Sequence, residues 1–172
     1  IRPLLNKKFN KDIQIVPTVL STDQTNPPDV VAMVAASAAL VISDIPFEGP
    51  IGAVRVASVD NELVLNPTFE QIKEASLDII VAGTAEGITM VEGGGDEVPE
   101  DTMIAAIDKA KWYIEELCRI QSELRIRSGK DKLPLQEIDE TLEQESEIRS
   151  FAEDQLKEAL FLQSKIERSK AV

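Results

Sequence analysis

Apolar side chains occupy almost every position between Val30 and Ile42, where alanines fill the places between the larger residues. A helix that is apolar on nearly every side is typical of a buried element. Two prolines precede Asp29, which is suited to cap the amino end of a helix, and Pro46 follows where the helix must stop. The pattern therefore predicts a buried helix over about 28–43, and we expect it to pack against a sheet.

Five short segments have the alternating or continuous apolar patterns that are typical of β-strands. Pro17 lies within the first segment and indicates an edge strand or a bulge. Residues 59–61 predict a tight hairpin turn between the second and third segments. Thr68 and Gln71 predict a capping box at the start of a short helix. The predicted strands are 12–20, 51–59, 62–66, 77–82 and 87–92.

From Pro99 onward the spacing of apolar residues lengthens from two residues to about three and a half, which is the period of a helix. One long helix is predicted as far as Arg127, and a second over about 136–169. A short linker would let the second helix fold back on the first as a helical hairpin. We therefore expect two domains, an α/β domain over residues 1–98 and a helical domain over residues 99–172.

The chain of 172 residues holds 18 basic and 31 acidic side chains, which gives a net charge of −13. Between residues 12 and 95, Arg55 and Lys73 are the only bases among twelve acids. Nonspecific affinity for nucleic acids comes from Lys and Arg side chains that displace counterions. Composition therefore argues against RNA binding by this segment alone, while the 43% of hydrophobic residues is enough for a core.

The scarcity of two residue types limits the chemistry. Histidine is absent, so mechanisms that need an imidazole base or ligand are excluded for this chain by itself. Cys118 is the only cysteine, which excludes an internal disulfide and fits a reducing compartment. It lies on the first long helix, where we expect a core position rather than a reactive thiolate. No apolar run is long enough to span a bilayer.

Several separated motifs keep the order and spacing of a known family. The longest is IPFEGPIGAVRV at residues 45–56, which follows ASAAL at residues 36–40. Shorter motifs are IRPL at 1–4, NPT at 66–68, LDIIVAGT at 77–84 and MVE at 90–92. Together they resemble the first RNase PH-like core of bacterial polynucleotide phosphorylase over roughly residues 1–125. Beyond that point, the chain is similar to the family's inter-core region only in being helical and charged.

The resemblance implies a fold and a place in a larger enzyme. It implies half of an RNase PH-like core, an α+β or α/β fold of the ribosomal protein S5 domain 2-like type, followed by an all-helical region with two long helices. The family's full chain is several times longer. The resemblance therefore implies an internal piece that lacks half of the first core and all of the second, catalytic core.

The resemblance also implies an activity for the whole enzyme. Members of this family are homotrimers that use phosphate and Mg²⁺ to release nucleoside diphosphates from the 3′ end of RNA, in the bacterial cytoplasm or an organelle and not in a membrane. The segment itself is expected to be structural. It would pack with the remaining RNase PH-like cores and line the RNA channel, with no catalytic residue and no bound metal or phosphate of its own.

Three acids, Glu70, Glu74 and Asp78, are spaced around a predicted helix and the strand after it. Grouped carboxylates can hold Mg²⁺, a hard cation that takes oxygen ligands. By the resemblance, the catalytic core of the family carries two aspartates before a Val-Ala-Gly motif. When that motif is placed on residues 81–83, the two positions fall on Glu70 and Ser76, so one ligand is missing. We expect a solvated helix face rather than a metal site.

Two other segments are candidates for phosphate binding. A helix amino terminus can bind phosphate through backbone N–H groups, and by the resemblance the active core has a Gly/Ser-rich run before the helix. Here residues 26–29 read Asn-Pro-Pro-Asp, which offers two residues without N–H and one negative charge, so we interpret the site as lost. The run Gly93 to Gly95 lacks a following Lys-Ser/Thr and is expected to be a flexible exit from the sheet.

The amino-terminal basic residues are the remaining candidates for RNA contact. Residues 1–11 hold Arg2, Lys7, Lys8 and Lys11 with no acid. The resemblance places the arginine of the IRPL motif near the RNA-entry side of the enzyme, so Arg2 is the predicted RNA-binding residue. The competing interpretation is an ordinary surface charge or ion pair.

A second function, from a different class, is open at this level. The chain could be a stand-alone interaction module whose acidic helical hairpin binds a protein partner. The surrounding coding sequence would decide between the two. An upstream segment with basic Phe-Arg repeats and a downstream core with Gly-Ser-Ser and paired aspartates would identify the enzyme.

Overall fold

The computed structural model describes residues 1–135 and 142–172, with the side chains of 142–144 excepted. The chain forms two compact units that divide between residues 136 and 137. The first unit contains a four-stranded sheet and most of the helices, and the second contains two helices. The elements are a 3₁₀ helix at Arg2–Leu4, α1 (Asp29–Ile42), β1 (Gly52–Val59), β2 (Glu62–Leu65), α2 (Phe69–Glu74), β3 (Leu77–Gly83), β4 (Ile88–Gly95), α3 (Glu100–Ser128), α4 (Leu142–Leu160) and α5 (Lys165–Ala171).

The sheet has the strand order β2-β1-β3-β4, and every neighbouring pair is antiparallel. Asp60 and Asn61 turn the chain between β1 and β2 with φ angles of 51° and 63°, as a two-residue hairpin requires. Thr68 and Gln71 form the capping box at the start of α2, with each side chain accepting the other's backbone N–H. Four of the five predicted strands and this cap are therefore confirmed.

The glycine run does not end the sheet as predicted. Gly93, Gly94 and Gly95 belong to β4 and pair with the first three residues of β3. A Cβ at Gly93 would lie 2.1 Å from the carbonyl oxygen of Asp78. The absence of side chains therefore lets the strands approach, and a motif that reads as a flexible exit serves as a strand.

The two faces of the sheet have different coverings because side chains alternate along each strand. Helix α3 covers one face with a row of small and apolar residues. The main core cluster joins it to β1 and β3, and its buried members are Val54, Val56, Leu77, Ile79, Val81, Ala106, Ala110, Ile114 and Cys118. Helix α1 covers the other face, where Val30 packs with Ala53 and Ala82. The sheet is thus the middle layer of an α/β/α arrangement.

Helix α3 belongs to the same compact unit as the sheet, so the structure divides the chain at a different place from the predicted boundary of residues 98 and 99. The physical reason is the apolar face of α3, which is buried against β1 and β3 rather than against another helix. After α3 ends, Lys130 N donates to the carbonyl of Ile42 and the Lys132 ammonium donates to three carbonyls near the end of α1. These bonds attach the following segment to the first unit.

The predicted second long helix is interrupted. Helices α4 and α5 are separated by residues 161–164, and Ser164 occupies the N-cap position of α5. The part of the prediction that falls on residues 136–141 lies outside the described residues. The hairpin predicted between the two long helices would join the two units and stays a prediction. In the part of the chain that the structure describes, no helix is both long and apolar enough to cross a membrane.

The strand predicted over residues 12–20 is wrong. This segment has no regular secondary structure. Ile13 packs against a core cluster that includes Leu40 and Phe47, whereas Val16, Val19 and Leu20 are exposed, Leu20 to 94%. A strand needs a neighbour that accepts its hydrogen bonds, and the described residues supply none to this segment. Residues 13–18 instead line an open depression of about 460 Å³ beside α1.

Helix α1 is also less buried than its sequence predicts. Val31 is 70% exposed, and Ala35 and Ala39 are exposed on the same open side. Only Val30, Ser37, Leu40 and Val41 are buried. One face of α1 therefore packs on the sheet, and the other lines the depression without a covering element.

Helix α3 approaches the sheet closely at Gly52, and this contact generates a prediction. A Cβ there would lie 2.7 Å from the carbonyl oxygen of Ile114 and 2.9 Å from its Cα. Because both are backbone atoms, Gly52→Ala must shift the helix, and we expect a loss of about 1–3 kcal/mol of unfolding free energy. Thermal and urea melts followed by circular dichroism will measure it.

Gly87→Ala is the matched control, because an added Cβ there has no atom within 4 Å. The control should melt within about a degree of the parent. Equal stability of the two variants would contradict the tight packing of α3 on β1.

Candidate functional site

A charged cluster lies under the amino end of α1, on the face of the sheet that α1 covers. The Arg55 guanidinium binds Asp78 in a bidentate arrangement, with Nε to Oδ1 at 2.7 Å and Nη2 to Oδ2 at 2.6 Å. Its Nη1 donates to Oδ2 of Asp29 at 2.8 Å. The Arg55 side chain is only 19% exposed. One cation therefore joins three elements, β1, β3 and α1.

The local sequence places each member of the cluster. Val54 and Val56 flank Arg55 in β1 and point to the α3 face, so alternation turns the arginine to the opposite face. Asp78 alternates in the same way between Leu77 and Ile79 of β3. Asp29 joins them because it is the first residue of α1.

The loop after β2 completes the surroundings of Arg55. The backbone N–H of Arg55 donates to Asn66 Oδ1 at 3.1 Å, and the backbone N–H of Asn66 donates to the Arg55 carbonyl at 2.7 Å. Asn66 adopts a φ of 47°, a conformation that Asn tolerates better than most residues. A small cavity of about 120 Å³ beside the cluster is lined by Asn26, Pro27, Asp29, Val30, Val31, Arg55, Asn66 and Pro67.

The electrostatics of the cluster are those of a closed ion-pair network. The hydrogen bonds to Asp78 raise the pKa of Arg55 above its ordinary value, and the negative charges of Asp78 and Asp29 add to this effect while partial burial opposes it. The guanidinium is permanently charged. Because both carboxylates already bind it, the cluster offers neither a free cation to a phosphate group nor a free carboxylate to a metal.

The three candidate metal-binding acids have separate environments. Asp78 is held by Arg55, Glu70 pairs with Lys73 at 2.9 Å on α2, and Glu74 is exposed. Among the described residues, no three His, Cys, Asp or Glu side chains form a group that could hold a metal ion.

The amino end of α1 has no arrangement for an anion. The helix begins at Asp29, so Pro28 takes the N-cap position and makes no side-chain cap. This corrects the expectation that Asp29 is the cap. Asp29 Oδ1 accepts the N–H of Val30 at 2.8 Å. The carboxylate therefore sits where a phosphate would bind, and the two prolines remove further donors.

The other candidate residues lie apart from this cluster. Arg2 is exposed in the 3₁₀ helix, and Lys7 and Lys8 are exposed after it. Cys118 is 2% exposed in the core, and its Sγ donates to the carbonyl of Pro50 at 3.5 Å. Burial raises the pKa of the Cys118 thiol, which opposes thiolate formation. Cys118 is thus a packing residue.

Sequence reasoning missed Arg55. A signal was available, because Arg55 is the only base between residues 12 and 72 and stands alone within an apolar strand. A lone charge at such a position needs a partner of opposite sign. The identity of that partner required the strand register, which places Arg55 opposite Ile80 and Asp78 opposite Ala57.

The chain is similar to known proteins. Residues 49–111 match the model of the "3′ exoribonuclease family, domain 2". The chain is 49% identical over its whole length to the polyribonucleotide nucleotidyltransferase of Borrelia turicatae, and 51% identical over 98% of its length to that of Treponema denticola. It spans 24% of the length of each of these relatives.

A structural comparison agrees on the fold. The crystal structure of rice (Oryza sativa) Rrp46 matches with a TM-score of 0.52 and 14% sequence identity, over 58% of this chain and 48% of that one. At this identity the match concerns the fold alone. The predicted RNase PH-like fold is confirmed.

The charged cluster generates a prediction about stability. Arg55→Leu would leave Asp29 and Asp78 partly buried without their cation, which is costly because each must find water or be left unpaired. We expect a loss of about 1–3 kcal/mol, reduced from the value for a fully buried network because the carboxylates are 40% and 25% exposed. Urea denaturation at neutral pH will measure it.

Arg119→Leu is the matched control. Arg119 also pairs with two acids, Glu116 and Glu123, but its side chain is 55% exposed on the outer surface of α3. We expect this substitution to change stability little, because exposed ion pairs are screened by solvent. If both variants lose the same stability, the ion pairs of Arg55 do not stabilise the contact between α1, β1 and β3.

Proposed function

Because the chain is about one half identical to polyribonucleotide nucleotidyltransferases, we propose that it belongs to their family and is a non-catalytic segment of a phosphate-dependent 3′-to-5′ exoribonuclease that acts in RNA degradation. The observation that carries this proposal is the pairing of Arg55 with Asp78 and Asp29. These charges occupy the region where, by the resemblance, a catalytic core would hold phosphate. The three charged groups bind one another and leave none free for a ligand. The segment's role in the enzyme is therefore structural.

The whole enzyme, in this proposal, binds phosphate and Mg²⁺ in its other RNase PH-like core and releases nucleoside diphosphates from RNA. It assembles as a homotrimer around an RNA channel, in the cytoplasm of a bacterium or in an organelle. The support is the sequence identity of about one half to relatives that carry the name polyribonucleotide nucleotidyltransferase.

The structural role has a candidate surface. The open side of α1 and residues 13–18 form an apolar depression, and Ile15 and Val16 in its lining are exposed. Exposed apolar area of this kind marks an interaction site. We propose that the remaining half of the RNase PH-like core packs here and supplies the strand partner that residues 12–20 lack.

The proposal predicts opposite outcomes for the chain alone and in context. Incubated with poly(A), phosphate and Mg²⁺, the 172-residue chain should release no ADP above a heat-denatured control. A chimera in which the chain replaces the matching 24% of the Treponema denticola relative should release ADP at a rate within about tenfold of that enzyme. Coupled detection of ADP will measure both rates. A folded but inactive chimera, or an active isolated chain, would contradict the proposal.

Arg2 is the residue that we propose to contact RNA in the assembled enzyme. The chain alone should bind RNA weakly at physiological salt because its net charge is −13. In the chimera, Arg2→Ala should weaken poly(A) binding about threefold to tenfold and lower the slope of log affinity against log salt by about one. Filter binding over a salt series will test this. Lys73→Ala is the control, and an equal effect of both substitutions would refute the assignment.

A further inference from the structure

A basic patch lies at the carboxyl end of α3, on a chain that is otherwise acidic. It consists of Arg125, Arg127, Lys130 and Lys132. Residues 124–132 hold these four bases and one acid, although the chain as a whole has a net charge of −13. Such a concentration of one sign requires a physical reason, because like charges repel at short range.

Three of the four bases border an open depression of about 560 Å³. Arg125 lies on the last turn of α3, Lys130 and Lys132 lie on the segment after it, and Gly49 and Pro50 also contribute to the lining. Asp131 also lines the depression, so its lining has two positive charges in excess. The volume is in the range of pockets that hold small ligands.

The cations that line this depression are not neutralised by carboxylates. In the described part of the chain, none of the ion pairs involves Arg125, Arg127 or Lys130. Arg125 and Lys130 are both exposed. Their side-chain N–H groups are therefore available to a ligand that can accept several hydrogen bonds.

Lys132 gives the patch a fixed charge. Its ammonium donates to the carbonyl oxygens of Leu40 and Val41 at 2.9 Å and of Ser43 at 2.7 Å. An ammonium has three donors, so all of them are used and the charge is held in place. Burial lowers the pKa of Lys132, and the positive charge of Arg125 lowers it further, against the opposing effect of Asp44. Arg125 and Lys132 thus repel each other, and a bound anion would relieve that repulsion.

We propose that this depression binds the phosphate groups of a small polyphosphate anion, such as a nucleoside diphosphate or triphosphate. Arg125 donates from its planar fork and Lys130 from its flexible ammonium, while Lys132 contributes its fixed charge. The lining contains no aromatic side chain, so recognition rests on the phosphates rather than on stacking with a base. The chain's net charge of −13 disfavours a longer RNA strand.

This site is separate from the Arg55 cluster and from Arg2, so it does not depend on the proposed enzymatic function. Its ligand would bind to the end of α3 and to the segment that attaches to α1. Binding there would stabilise the folded first unit by mass action.

The test uses the 172-residue chain and two-dimensional ¹H–¹⁵N NMR at neutral pH and low salt. Sodium tripolyphosphate and ATP are titrated separately, each against a sodium chloride series of equal ionic strength. Shifts of backbone signals should concentrate at residues 49–50 and 122–132 with both ligands. The double variant Arg125→Ala/Lys130→Ala should weaken binding at least tenfold.

The double variant Lys73→Ala/Lys111→Ala removes the same charge from exposed positions elsewhere and should change affinity less than twofold. Circular dichroism melts will verify that both variants fold. If Arg125→Ala/Lys130→Ala does not fold, Arg125→Gln/Lys130→Gln will be used in its place. Equal weakening in both charge-removal variants, or shifts spread over the whole surface, would overturn the site. Tenfold tighter binding of decameric oligo(A) than of tripolyphosphate at the same residues would overturn the assignment to a small polyphosphate.

Discussion

The ion-paired cluster of Arg55 with Asp78 and Asp29 is the interaction on which the first unit depends. Two carboxylates and a guanidinium are expensive to remove from water, and bidentate geometry is what offsets the cost. The cluster fixes the start of α1 over β1 and β3 at one point. The same geometry leaves no free charge to bind a ligand. One set of residues therefore fixes the fold and cannot serve as a phosphate or metal site.

The opposite face of the sheet is held mainly by apolar packing against α3. Ala106 and Ala110 let α3 approach the strands, and Gly52 allows contact with the backbone at Ile114. Dispersion and burial stabilise most of this layer. Two hydrogen bonds add to them, from Lys109 Nζ to the Leu63 carbonyl at 2.6 Å and from Gln121 Nε2 to the Ile51 carbonyl at 2.8 Å. The two faces therefore differ in kind. The α3 face is closed and apolar, whereas the α1 face carries the charged cluster and an open apolar depression.

Charge is distributed in the chain according to these roles. Acids dominate the sheet and its loops, where a phosphate backbone would be repelled. The basic patch gathers at the junction of α3 with α1, where the Lys132 ammonium binds the last carbonyls of α1. A cation is favoured at a helix carboxyl end because the exposed carbonyls carry partial negative charge. This contact explains how the segment after α3 stays with the sheet unit.

The sequence by itself determined the elements that are specified locally. Alternating or continuous apolar patterns located β1 to β4, the helical period located α3 between Pro99 and Arg127, and Thr68 with Gln71 located the cap of α2. Separated motifs were enough to predict the RNase PH-like fold. These features depend on backbone geometry and on near neighbours along the chain, which a single sequence contains.

The tertiary structure decided what depends on distant partners. Residues 12–20 alternate like a strand but have no strand beside them in the described chain, and α1 has the composition of a buried helix with one face uncovered. Gly93 fits in β4 because a residue without a side chain is needed where the Asp78 carbonyl lies so close. Arg55 could be recognised as unusual, but only the register of β1 and β3 supplied its partner. Periodicity reports which side of an element is apolar, whereas the neighbour that covers that side is set by the packing of the whole chain.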